Sequence, residues 1–72
     1  MYIIESRYRL FGYLPVVRRI KVADKGKAAI EFSEAVGSPV KNNQLDNFLH
    51  TEANPKTIIV KGKKRVRLTK TS

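Results

Sequence analysis

Five cations fall within seven positions near the end of the chain: Lys61, Lys63, Lys64, Arg65 and Arg67. Each can neutralise a phosphate, and the counterions released make such contacts a source of affinity for nucleic acid. Further upstream, Lys41, Asn43, Gln44 and Asn47 set three amide side chains beside a cation. An amide offers a donor next to an acceptor, the pattern that reads an adenine edge in the major groove. These residues are the candidate contacts, the cations for phosphate and the amides for base edges.

Catalytic chemistry has less to work with. His50 is the one histidine and the one side chain that titrates near neutral pH. Proton transfer needs a second group within hydrogen-bonding reach, and neither Glu52 nor a lysine is tied to His50 by any recognisable spacing. A histidine near a helix end is accounted for by the helix dipole alone. Cysteine is absent, which excludes disulfides, thiolate metal sites and cysteine nucleophiles. Six scattered carboxylates suggest no metal cage. The expectation is a protein without catalysis, metal or cofactor.

Charge is uneven along the chain. Residues 56–72 hold seven of the fifteen basic residues and none of the six acids, so they carry most of the net charge of +9. A pI near 10.3 speaks to partners rather than to fold. Nucleic acid is the expected partner, DNA ahead of RNA, with an acidic surface of a partner protein as the alternative. No apolar run approaches the ~20 residues of a membrane span, so no membrane partner is expected. Glu5, Arg7 and Arg9 occupy the place where a signal peptide is apolar, and a cytoplasmic location is expected.

The elements that must position these side chains follow from periodicity. Seventy-two residues make one small basic domain with a thin core. Residues 2–10 alternate, with Tyr2, Ile4, Ser6 and Tyr8 on one face and Glu5, Arg7 and Arg9 on the other, which argues a half-buried strand. Gly12 and Pro15 break the chain, and residues 16–23 read as a strand pairing back on the first. Phe11, Tyr13 and Leu14 in that break are expected to fold over one end of the core.

Residues 24–36 carry two patterns. As a strand after an Asp24-Lys25-Gly26 turn they pair Ile20 with Ile30 and Arg19 with Glu31, each like with a suitable partner. As a helix, Asp24 is the N-cap, Ala28, Ala29, Phe32, Ala35 and Val36 form a stripe, and Gly37 stops it. Gly26 in the first turn, costing ~1 kcal/mol against alanine, tips the reading to the strand. Arg7, Arg9, Arg19 and Lys21 then share an outward sheet face with Glu5 and Glu31, which reads as protection against aggregation. Residues 42–52 read as a helix on Leu45, Phe48 and Leu49. Residues 57–69 read as a hairpin around Gly62, with Ile58 opposite Val66, Lys56 opposite Leu68, and Ile59 and Thr57 across from Arg65 and Arg67.

The expected architecture is α+β: a strand meander over 2–33, a helix at 42–52 and a basic C-terminal β-hairpin at 57–69. The alternative is a winged helix-turn-helix with 25–36 helical. In that form the order helix, linker and Lys/Arg-tipped hairpin resembles, in outline, an excisionase-like winged helix. Either fold leads to one expected function, non-catalytic binding of nucleic acid, double-stranded DNA first, in a regulatory or recombination role. A protein-interaction module or inhibitor docking on an acidic partner surface would also fit the charge, as would a small RNA-binding protein.

Overall fold

The structure is a computed structural model that describes residues 1–61 and 63–71. Its centre is a four-stranded antiparallel sheet in the order β2-β1-β4-β3, formed by β1 (Tyr2–Leu10), β2 (Leu14–Val22), β3 (Ile58–Val60) and β4 (Lys64–Lys70). One helix, α1 (Lys25–Val36), and a short 3-10 helix (Asn42–Phe48) cover one face. The class is α+β, as the alternating and β-branched segments predict.

The strong alternation of β1 decides which face is covered. Tyr2, Ile4 and Ser6 are buried with Val66 and Leu68 of β4 beneath Ala28, Ala29 and Phe32 of α1 and Leu45 of the 3-10 helix. α1 lies chiefly over β1 and reaches both its neighbours. The β1–β2 hairpin turns at Phe11 and Gly12, with φ of 54° and 81°, and the Tyr13 N–H donates to the Leu10 carbonyl at 3.1 Å. Positive φ at both central residues is the mark of a type I′ turn.

Residues 24–33 are not a third strand. Lys25–Val36 is helical, capped by Asp24 at its start and by Gly37 at its end. The Asp24 carboxylate accepts from the Lys27 N–H at 3.1 Å, and Gly37, at φ 73°, closes the helix through its N–H to the Ser33 carbonyl. Gly26 fits for a reason that propensity misses: a Cβ there would come within 3.1 Å of the Asp24 Oδ2 that caps the turn. The Ser33 hydroxyl donates to the Ala29 carbonyl and accepts from the Val40 N–H at 2.9 Å, holding the exit loop against the helix.

The helix expected at 42–52 is also corrected. Helical turns run only through Phe48 and are of the tighter 3-10 form, with the Lys41 N–H held by the Gln44 side chain at 3.3 Å. Asn42, Asn43, Asp46 and Asn47 all favour local backbone contacts over a regular α-helix. The chain then straightens. Leu49 forms a parallel bridge to Leu68, and the His50 N–H donates to the Leu68 carbonyl at 2.7 Å. That bridge takes the place expected for Lys56 opposite Leu68, so β3 is only three residues long.

Where β3 pairs, the terminal hairpin keeps its expected register, while Thr57, expected across from Arg67, lies before the strand begins. Ile58 faces Val66 and Ile59 faces Arg65, while Gly62 lies outside the described residues. β4 then pairs with β1, Ser6 opposite Val66 and Ile4 opposite Leu68. Pairing of β1 with β4 stops at Arg7, but pairing with β2 continues to Leu10 opposite Leu14. The β1–β2 ribbon therefore projects about 10 Å beyond the sheet, at ~3.4 Å per residue.

Candidate nucleic-acid interface

The second face of the sheet is not covered by α1 or the 3-10 helix. Strand pleating sends alternate side chains there, and the register lines them up across three strands. β1 contributes Arg7 and Arg9, β2 contributes Arg19 and Lys21, and β4 contributes Arg65 and Arg67. Each strand thus offers two cations at i and i+2, about 6.6 Å apart along the strand. Among the described residues Glu5 is the one acid on this face; Glu31 and Glu34 belong to α1 and line a hollow on the opposite side with Arg18 and Lys64.

Glu5 orders its neighbours rather than cancelling them. Its Oε1 accepts from Arg7 Nε and its Oε2 from Arg19 Nη2, both at 2.9 Å. The two arginine side chains stay about 60% exposed while the Glu5 side chain is only 14% exposed. The Arg19 hydrogen bond, with the Arg7 charge beside it, holds the Glu5 carboxyl below its ordinary 4.5 despite partial burial. A carboxyl depressed in the folded state adds stability above its unfolded value and loses it as pH falls through the folded value.

Acid unfolding should accordingly include a Glu5 contribution below about pH 4.5, on the order of 1 kcal/mol for a pair of exposed bridges. Glu5→Gln should be less stable than wild type at neutral pH, and the gap should close as pH falls through the folded value of the Glu5 carboxyl and both side chains become neutral. Circular dichroism across that range checks it. A constant gap between the two curves would mean the pairs hold nothing.

The residues expected to form one site fall on two sides of the sheet. Arg65 and Arg67 are on the uncovered face. Lys61 and Lys63 are exposed at the β3–β4 turn, whereas Lys64 is half-buried on the helix side with its ammonium 5.8 Å from the Tyr8 ring centroid. Lys41, Asn43, Gln44 and Asn47 sit on or beside the 3-10 helix, across the sheet from the arginines. There Gln44 and Asn47 edge a largely apolar groove with Phe32, Val36, Phe48 and Ile58. The amides and the arginines do not form one surface.

Arg7, Arg9, Arg19 and Lys21 replace the amides as neighbours of Arg65 and Arg67. Alternation already puts these four on a common face; a helical 24–36 removes Glu31 from it, and the strand order adds the β4 pair. A concavity lined by cations opens where β4 stops short of the projecting ribbon. This groove, of about 620 Å³, is lined by Arg7, Arg9, Lys63 and Arg65 and reaches Gly12 at the hairpin turn.

His50 has a structural partner. Its Nδ1 accepts from the Lys56 N–H at 2.9 Å, closing the loop between the sheet bridge and β3. Among the described residues no three of His, Asp and Glu gather as metal ligands, and no helix is long and apolar enough to cross a membrane. No family model, curated protein or solved structure matches the chain.

Proposed function

We propose that the protein is a non-catalytic nucleic-acid-binding module that lays its uncovered sheet face on the sugar-phosphate backbone. The observation that supports this is the array itself: six Lys/Arg side chains in pairs on three adjacent strands, with one acid among them. Arginine forks match phosphate oxygens and keep their charge at any physiological pH. Charges on a flat sheet carry little base information, so the binding is largely indifferent to sequence. The winged helix-turn-helix alternative draws support from helical 25–36 and from the terminal hairpin, but its amide-bearing segment is short and lies across the sheet from the cations.

A salt titration on duplex DNA, the ligand expected from the sequence, tests the reading. Six phosphate contacts imply a log–log slope approaching about −5.4, and affinity should fall roughly a thousandfold between 50 and 200 mM salt. A slope shallower than about −2, or no binding at the lowest salt, would point instead to an acidic protein partner held by few charges.

A further inference from the structure

We propose that the projecting β1–β2 ribbon is a base-stacking arm, and that the preferred ligand of the basic face is nucleic acid with unpaired bases. This rests on the nucleic-acid reading above and adds the strand class to it. The residues concerned are Phe11 and Tyr13, which do not fold back over the core as the sequence suggests. They are 84% and 70% exposed, and their ring centroids lie 6.5 Å apart with 34° between the planes. Two rings so placed on one turn can engage neighbouring bases of a strand.

Neither packing nor turn geometry calls for a phenyl ring at position 11. Its φ of 54° lies in the left-handed region, which glycine or asparagine occupies with ease and a bulky side chain seldom does. The ring is thus held outward by a backbone that another residue would suit better. Strain that packing does not explain, at an exposed position, is the pattern of a ligand-contacting residue.

The arm stands at the mouth of the groove lined by Arg7, Arg9, Lys63 and Arg65, which has no acid among its described lining residues. Phosphates in the groove bring the attached bases to the tip. In a duplex the flat faces of the bases are already stacked on one another; an unpaired base offers its face to an aromatic ring, whatever its identity. Cations beside an apolar tip also suit an anionic bilayer. Here, however, the cations line a concave wall that a strand can enter and a lipid surface cannot follow.

The test is fluorescence anisotropy with a labelled oligothymidine of about 20 nucleotides, a duplex of equal length, and vesicles of phosphatidylcholine with phosphatidylserine. Wild type should bind the single strand more tightly than the duplex. Phe11→Asn, suited to the left-handed turn, should fold as well as wild type by thermal melting. It should nevertheless lose roughly 5- to 100-fold in single-strand affinity, with duplex affinity and salt slope unchanged. Tyr13→Ala should act in the same direction. The inference is overturned if wild type prefers the duplex, if both variants keep single-strand affinity within about twofold of wild type, or if Phe11→Asn loses vesicle binding alone. Binding that ignores Phe11 leaves the phosphate reading standing, whereas wild type that binds neither nucleic acid sinks both.

Discussion

Phe32→Ala should leave the protein on the edge of unfolding. Phe32 is fully buried, and its ring meets that of Phe48 at 5.3 Å between centroids, so truncation opens a void where α1, the sheet and the 3-10 helix meet. Such a change costs about 3–5 kcal/mol. At 0.05–0.15 kcal/mol per residue, a domain of this length has about 4–11 kcal/mol in all. The melting temperature should drop by roughly 15–30 °C, and urea unfolding should show the midpoint shift. Ile30→Ala, on the exposed side of the same helix, should change stability by about 0.5 kcal/mol or less. If the two variants melted together, the core would have been misplaced.

The second large effect is on binding. Replacing Arg7, Arg9, Arg65 and Arg67 together with glutamine keeps the long stems that cover the sheet and removes four charges. Each phosphate contact contributes about eightfold at 0.1 M salt, from the slope of ~0.9 per contact. The quadruple variant should therefore bind duplex DNA about 4,000-fold more weakly, with a slope less steep by about 3.6. Asn43→Ala with Asn47→Ala, across the sheet, should bind as wild type. The reverse ranking would restore the amide-bearing segment as the reader and dismiss the sheet face.

Both hairpins are legible as pairs of strands broken by a turn, and the pairing of Ile58 with Val66 follows from counting; the second strand, expected at 16–23, instead runs Leu14–Val22, because Leu14 and Pro15 join the pairing rather than the turn. Residues 24–36 are different in kind. They satisfy a strand register against β2 and a helical stripe equally well, and the choice is made by Phe32 meeting Phe48 and by Asp24 folding over Gly26. The ring contact, between residues sixteen apart, is not visible in a window of sequence; the Asp24 cap is visible, but the cost of Gly26 in the first turn outweighs it there. The segment at 42–52 misleads in the opposite way: Leu45, Phe48 and Leu49 have helical spacing, yet Leu49 is drawn into a bridge with Leu68. The binding face is the least legible part. Its composition depends on β4 lying beside β1, a neighbour relation that no local pattern encodes.

That same neighbour relation governs how the molecule comes into being. Ile4 pairs with Leu68, sixty-four positions away along the chain, so the inner strand of the sheet waits for the last one. Closing a loop of that length before any pairing energy returns is slow, and non-local sheets of this kind fold in milliseconds to seconds. On the ribosome the β1–β2 hairpin and α1 emerge well ahead of Val66 and Leu68 of the core. Until then β1 shows an open edge with Ile4 beside it, the part of the molecule most exposed to wrong pairing. The arginines and Glu5 set along that edge give the nascent chain a charged border during the wait.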